Sequence, residues 1–307
     1  MLSTAVLWFF TLSIAFAHGI AGNRYFPGTI TFDDPAVADE FSFATNSYKS
    51  TDTLNPQKDS GSAISAARLL SPTWAFGFDY EKDVTNPSGK ASAYTKKDDV
   101  YLKTILYRDD LNEELVSVLL GYGYSHTDLP GFGVISRLSA LPEVSFGKGF
   151  GNLGDDWSWL RPFAFAGAVA LDMPVQRSTT IYGANLNNQN IVNERTQNTS
   201  VVHWGFALEY STLFLTNRFL HGHLPDDEPL HQFVPIVEFA FESSALQKTT
   251  GTMNPGLTYV EQTWQLAGEL IMPLNQGPTR VTGFRGQLMF FLDDLVPSLF
   301  EKPLLFN

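Results

Sequence analysis

The chain has 307 residues, 44% of them hydrophobic and 14% aromatic, with 25 Phe, no Cys and a formal net charge of −12. The acidic balance, with no basic stripe, argues against a nucleic-acid partner, and the absence of cysteine excludes disulfides and thiolate metal sites. A mean hydropathy of −0.07, with no apolar run after residue 17 longer than that from Phe163 to Leu171, excludes spanning helices, which need about 20 consecutive apolar residues.

Residues 1–17 read as a signal peptide. An apolar stretch from Leu2 ends in Ala15-Phe16-Ala17, a small-x-small cleavage pattern. No Lys or Arg precedes that stretch, so the terminal amine supplies its only positive charge. Gly19, Gly22, Asn23 and Pro27 follow and would end any helix. The mature chain is expected to begin near His18, with residues 18–36 forming a periplasmic N-terminal segment.

From residue 40 the dominant pattern has period 2, which places alternate side chains on opposite faces of a strand. Phe41, Phe43 and Thr45 alternate with Glu40, Ser42 and Ala44. A weaker stretch, 62–70, reaches the turn Ser71-Pro72-Thr73. Trp74, Phe76, Phe78 and Tyr80 then occupy every even position, opposite Ala75, Gly77, Asp79 and Glu81. Val100, Leu102 and Leu106 share a face opposite Lys103 and Ile105. Val116, Val118, Leu120, Tyr122 and Tyr124 oppose Ser117, Gly121, Gly123 and Ser125. Val144, Phe146 and Phe150 interleave with Glu143, Ser145, Gly147 and Gly149. Phe163, Phe165, Val169, Leu171 and Met173 oppose four alanines and Asp172. Val202, Trp204, Phe206, Leu208 and Tyr210 oppose His203, Gly205, Ala207, Glu209 and Ser211. Phe233, Val237, Phe239 and Phe241 oppose Glu238, Ala240 and Glu242. A short strand, 257–260, turns at Glu261-Gln262 into Trp264, Leu266, Leu270 and Met272, opposite Gln265, Ala267 and Glu269. Phe284, Leu288, Phe290 and Leu292 close the series, opposite Arg285, Gln287 and Asp293.

One set is Phe, Trp, Tyr, Leu and Val; the other is Gly, Ala, Ser and carboxylates. A soluble sandwich also alternates, but a core made from the second set would be underfilled and would bury charge without partners. The expected fold is all-β: a single antiparallel transmembrane β-barrel of about 12 strands over residues 37–294, then a tail, 295–307. Its expected place is the cell outer membrane, and its partners the lipid bilayer, the outer-membrane assembly machinery and a small-molecule solute. An even strand count puts both ends on the periplasmic side. The turns 71–73 and 261–262 fall there, and the polar connections 83–98, 126–140, 174–199 and 244–256 fall outside. Residues 212–231 break this rule and read as an inserted element.

The polar parity nominates Asp79, Lys103, Asp172, His203, Glu209, Glu238, Glu242, Glu269, Arg285 and Gln287 as lumen-lining, with Asp79 in the lumen or near its rim. Two readings stand open. These residues form a constriction or ligand cradle whose field selects solutes, or a structural ionic network that fills the barrel. Neither a cofactor nor a metal is expected. His221, His223 and His231, near Asp226, Asp227 and Glu228, have metal-ligand chemistry, but Pro225 and Pro229 interrupt them and the spacing fits no compact zinc motif. No catalytic residue is expected, and the chain does not read as an enzyme. It contains no His-x-Ser and no Gly-x-Ser-x-Gly, and Ser125 and His126 are adjacent and so point apart. His203 and Ser211 share parity, yet at ~3.3 Å per residue they lie about 25 Å apart.

Several stretches carry a resemblance. Gly22-Asn23-Arg24-Tyr25-Phe26-Pro27-Gly28-Thr29 leads into Phe32-Asp33-Asp34-Pro35. Phe146-Gly147-Lys148-Gly149-Phe150-Gly151, Leu160-Arg161-Pro162-Phe163 and Pro235-Ile236-Val237-Glu238-Phe239 follow. Thr252-Met253-Asn254-Pro255-Gly256 and Phe291-Leu292-Asp293-Asp294 complete the set. Together they resemble a group of uncharacterised proteobacterial outer-membrane barrels similar to the putative MetA-pathway of phenol degradation family, often labelled transporters. The resemblance implies a barrel and the uptake or export of small molecules, aromatic ones among them. It supplies no functional residue, and it departs from many outer-membrane barrels in lacking a terminal-strand Phe at the last position. The expected function is passive passage of small solutes, aromatic or hydrophobic ones among them, through a narrow, mainly acidic lumen. The alternatives are a plugged structural or adhesive surface barrel acting through its outer loops and, third, an outer-membrane enzyme.

Overall fold

A computed structural model describes residues 19–22, 24–50, 57–87, 91–130, 133–184, 191–213, 232–245, 248–275 and 281–305. The signal-peptide assignment for 1–17 and the histidines at 221, 223 and 231 lie outside the described residues, as does most of the 212–231 connection.

Twelve antiparallel strands form a closed barrel. In chain order they are β3 (Glu40–Ser50), β4 (Gln57–Ser71), β5 (Trp74–Pro87), β6 (Ala93–Asp109), β7 (Glu114–Leu129), β8 (Gly133–Gly149), β9 (Phe163–Pro174), β12 (Val201–Tyr210), β13 (Gln232–Ser244), β14 (Thr250–Val260), β15 (Trp264–Pro273) and β16 (Val281–Phe291). Each pairs with the next, and β16 closes on β3 with Arg285 opposite Asn46 and Phe290 opposite Phe41. Two hairpins form separate two-stranded sheets outside the barrel ladder: β1 (Ile20–Ala21) with β2 (Arg24–Tyr25), and β10 (Ser178–Ala184) with β11 (Ile191–Gln197). Among the described residues no helix is long and apolar enough to cross a membrane.

The alternation in the sequence becomes the two faces of this wall. Phe76 and Leu120 are 48% and 63% exposed, whereas Ala75 and Ala207 are 1% and 0% exposed. On the outer face Phe146, Phe165, Phe206 and Phe239 line up across β8, β9, β12 and β13, with ring centroids 5.8, 5.5 and 4.8 Å apart. Left in water, each ring would forgo about 2 kcal/mol of burial free energy; against acyl chains the row is satisfied. With no sheet edge left open, every strand keeps its hydrogen bonds inside the wall, as a spanning structure in hydrocarbon requires. The wall is that of a transmembrane barrel.

The strands run longer than a bilayer requires. β6 and β8 have 17 residues each, where about 9–11 suffice to cross. Three connections expected to be long therefore shrink, to 88–92, 130–132 and 245–249. Once a strand leaves lipid both faces turn polar, so its continuation looks like loop in the sequence. The fourth, 175–200, holds the β10–β11 hairpin. The short strand expected at 257–260 extends back to Thr250, because Pro255 and two glycines mask its period. The even spacing of Val100, Leu102 and Leu106 also fails at its last member. A register shift between Ile105 and Tyr107 leaves Leu106 and Tyr107 exposed side by side, and Ile105 packs instead against Val37, Leu69 and Ala75.

The barrel has a proximal end, where β3 begins and β16 finishes, and a distal end. At the proximal rim the residues after β16 make two single-turn helices, Leu292–Leu295 and Pro297–Phe300. They fold back over β4. The Leu304 and Leu305 amides donate to the Leu69 and Leu70 carbonyls at 3.0 Å. The Arg68 guanidinium, 4.7 Å above the Phe300 ring, donates to the carbonyls of Leu299 and Lys302 at 3.1 and 2.8 Å.

Candidate functional site in the barrel lumen

Residues Gly19–Asp39 enter the proximal end of the lumen. The inner wall there is small, and this makes room for them. Phe26 lies over Gly147, where a Cβ would come within 2.8 Å of its ring, and packs with Ala21, Ala164 and Ala166. Gly19 and Gly22 hold φ near +60°, which tightens the β1–β2 hairpin; a Cβ on Gly22 would also strike the Asp110 carbonyl at 2.1 Å. Arg24, 2% exposed, donates to the Pro162 and Arg161 carbonyls at 3.1 and 2.7 Å and pairs with Glu113 at 3.4 Å. The Tyr25 hydroxyl donates to Gln265. This first stretch, through Phe26, is packed as a protein interior is packed.

The next stretch is held differently. The Ile30 and Thr31 amides donate to the Glu238 carboxylate at 3.2 and 3.1 Å. The Thr31 hydroxyl accepts from Arg285 at 2.7 Å and from Asn254 at 3.1 Å. Asp33 pairs with Lys103 at 2.6 Å, and the same ammonium donates to the Asp34 carbonyl at 2.6 Å. Ser117 donates to the Pro35 carbonyl. Burial raises the Asp34 carboxyl above its ordinary value, with Lys103 opposing. Phe32 rests over Gly205. These residues form the floor of a cavity of about 700 Å³.

That cavity continues into a second, of about 610 Å³, toward the distal end; Glu81, Lys97, Asp172, His203 and Glu242 border both. Ion pairs stiffen the wall without neutralising it: Lys97 with Asp99 at 2.7 Å, and Arg137 with Asp172. The described lumen is thus a polar well whose floor is the chain's own N-terminal region.

The residues nominated from sequence fall into three sets, of which the first two overlap at Arg285 and Gln287. Asp79, Asp172, His203, Glu242, Arg285 and Gln287 border the cavity of about 700 Å³, Asp79 among its wall residues. Lys103, Glu238 and Arg285 grip the floor, and Gln287 joins through Gln265, whose amide also reaches the Gly28 carbonyl at 3.0 Å. Glu209, 1% exposed, lies below with neither carboxylate oxygen hydrogen-bonded among the described residues. Glu269, 4% exposed, faces Arg285 across the β15–β16 pairing. Sequence reasoning missed Glu40, Lys97, Asp99, Tyr101, Arg137 and Glu143 in the wall. Lys97, Asp99 and Tyr101 share the parity of Lys103, so extending that strand would have found them. It also missed Arg24, Thr31, Asp33 and Asp34, which carry no periodic signal.

A pairing between strands also escaped the search for His-x-Ser. His126 and Ser136 face each other across β7 and β8, with Nδ1 and Oγ 3.3 Å apart. No acid or amide among the described residues hydrogen-bonds the ring's other nitrogen, so the contact has no orienting third group. Among the described residues no three His, Cys, Asp or Glu side chains gather as a metal would need.

No family model matches the chain, and no curated protein does either. Among solved structures it is similar to the beta domain of the Bordetella autotransporter Brka, with a TM-score of 0.50 and 9% identity over 82% of this chain and 99% of that one. It is also similar to the outer membrane channel from Pseudomonas putida F1, with a TM-score of 0.47 and 10% identity over 87% and 98%. The translocator domain of autotransporter NalP from Neisseria meningitidis scores 0.45, with 13% identity over 82% and 87%. At such identities the likeness to the Brka domain is one of fold, the closed antiparallel barrel of Gram-negative outer-membrane proteins.

Proposed function

We propose that this barrel is a passive outer-membrane channel for small solutes, aromatic or hydrophobic ones among them, with residues 28–35 as its gate. One observation carries the reading: the lumen is continuous from the distal cavity down to a floor made by a chain segment, not by side chains of the wall. Wall side chains that fill a lumen cannot leave it, whereas a segment held by a few hydrogen bonds can. Such a bond is worth a net ~1 kcal/mol where water can replace it. Arg285 borders the cavity, as do Ile30, Thr31, Asp33 and Asp34, while Glu238 and Lys103, 0% and 5% exposed, hold them from the buried side. The resemblance to barrels labelled transporters supports the same reading. The proximal end then faces the periplasm, and the barrel is delivered by a cleaved signal peptide and the outer-membrane assembly machinery.

A cysteine pair tests the gate. Thr31→Cys with Asn254→Cys bridges the floor to β14 where the two side chains touch, at 3.1 Å, in a chain with no other cysteine. Planar bilayers are expected to show discrete conductance steps under reducing conditions and to lose them on oxidation. Steps that ignore the redox state would remove the gate. Bilayers silent in both states, and for the unmodified protein, would remove the channel and leave a plugged surface barrel that acts through its outer loops.

A further inference from the structure

We propose that the cavity above the floor takes small organic cations with an aromatic or apolar body, such as arylalkylamines and arylguanidines. The inference names the solute class of the channel reading and rests on it for the route by which the solute arrives.

Charge comes first. Nine carboxyl side chains border the cavity of about 700 Å³, against two cationic ones, Lys97 and Arg285. Lys97 is taken by Asp99, Lys103 by Asp33 and Asp34, and Arg137 by Asp172. Glu40, Asp79, Glu81, Glu143 and Glu242 keep no ion-pair partner within 4.0 Å among the described residues. Three oxygens on this wall, Glu143 Oε1, Asp99 Oδ1 and Asp172 Oδ1, are sealed from water and accept no hydrogen bond among the described residues. The other oxygens of Asp99 and Asp172 take Lys97 and Arg137, so of the three residues Glu143 alone has no cation beside it. Acceptors left so are expensive unless a donor arrives. An anionic solute would add to the repulsion, and a neutral one would leave it as it stands.

Shape comes second, and it is set by strand register. Across β5, β6, β7 and β8 one row of inward positions is Gly77, Tyr101, Gly121 and Leu141. The row on its distal side is Asp79, Asp99, Gly123 and Ser139; the row on its proximal side is Ala75, Lys103, Leu119 and Glu143. The glycines let the larger groups lie flat. A Cβ at Gly77 would fall 2.1 Å from the Tyr101 ring, and one at Gly123 2.9 Å from Leu141. The wall therefore offers an apolar strip of Tyr101, Leu119 and Leu141 bracketed by carboxylates one row to either side. Free metal ions and simple ammonium would use the carboxylates and leave the strip idle. A flat body with a cationic head uses both, with the ring on Leu119 and Leu141 and the head at Glu143 or Asp79. Tyr101 adds a cation–π face.

The test uses the full-length protein in detergent and in planar bilayers, with benzylammonium, methylammonium and benzoate as probes. Calorimetry should show benzylammonium binding at least about tenfold tighter than either of the others, a margin that one charge contact and one ring contact supply. Glu143→Gln combined with Asp79→Asn should reduce that binding about tenfold or more. Tyr101→Leu should narrow the preference for benzylammonium over methylammonium while leaving cation preferred to anion. Heat-modifiable gel migration confirms that each variant is a closed barrel; if the double variant fails it, Glu143→Gln alone decides. Benzoate binding as tightly as benzylammonium, or carboxamide variants binding unchanged, would overturn the inference. Conductance with no preference among the probes would overturn it too and leave the channel standing. Tight benzylammonium binding with silent bilayers would do the reverse, keeping the site and removing the channel.

Discussion

The two halves of the N-terminal segment sit in one lumen and are held by opposite means. From Gly19 to Phe26 the chain is packed: Phe26 is 1% exposed against alanines and a glycine, and Arg24 has its charge met by Glu113 and two carbonyls. From Thr29 to Asp34 it is suspended: apart from the Phe32 ring over Gly205, it is held by hydrogen bonds and ion pairs from four different strands, and its upper surface borders the cavity. An interior packed in the first way yields only by local unfolding. A contact set of the second kind can be traded for water bond by bond. The difference separates an anchor from a lid, and it lets a single segment stay in the barrel while its floor opens.

Substitutions in the anchor should act on the barrel as a whole. Arg24→Ala leaves Glu113, 4% exposed, as a buried charge without its partner, and removes the two carbonyl contacts. Breaking a buried pair from one side costs about 3–5 kcal/mol. The expected result is loss of heat-modifiable migration at a temperature well below that of the unmodified protein, followed by a detergent-gel melting series. An unchanged melt would mean that the anchor is not one. Phe26→Ala should come next, at about 3–5 kcal/mol for a fully buried ring whose site cannot collapse, and the same melt reads it.

Substitutions in the lid should leave that melt nearly alone and change conductance. Glu238→Gln keeps the shape, but its single amide oxygen can accept from only one of the Ile30 and Thr31 amides while its NH2 faces the other, a loss of about 1.5–3 kcal/mol together with the charge. The open fraction in single-channel records should rise by about tenfold. Lys103→Met removes an ammonium, 5% exposed, that holds both Asp33 and Asp34; by the same rule for a buried pair broken from one side it should open the lid further than Glu238→Gln does. If either variant instead lowered the melt as far as Arg24→Ala does, the division into anchor and lid would be wrong.

How much of this could be read from the sequence depends on what each part is built from. The wall was legible because lipid imposes a period on it: Trp74, Phe76 and Phe78 can alternate with Ala75, Gly77 and Asp79 only if the two faces meet different solvents. The ends of the strands were not, since above the bilayer both faces of β6 and β8 meet water and the period fades. Lys103, Glu238 and Arg285 were found by parity alone, as residues that face inward. What they face was hidden. The segment that meets them has no period, and its partners lie between 69 and 254 positions away along the chain. Thr31 looks like any loop threonine until Arg285 and Asn254 converge on it. The cross-strand contact of His126 with Ser136 escaped for the same reason, because register between strands is a property of turns and not of either strand's composition.

The smallest expected effect concerns acidity and falls on the lid alone. Burial raises the Asp34 carboxyl, with Lys103 pulling the other way and Asp33 pushing with it. A carboxyl whose value is raised in the docked state holds its proton more firmly there than when the segment is free in water. Docking therefore gains from protonation, and that gain is lost as pH rises through the docked value. The open fraction should increase with pH, with the change centred above the ordinary range for an aspartate. Asp34→Asn keeps the hydrogen-bonding shape and cannot ionise, so its records should show a flatter pH dependence. Arg24 and Phe26, deeper in the anchor, do not take part in this exchange, and the melt of the barrel should stay level over the same pH interval. A melt that moved in step with the open fraction would join the two halves again into one cooperative plug.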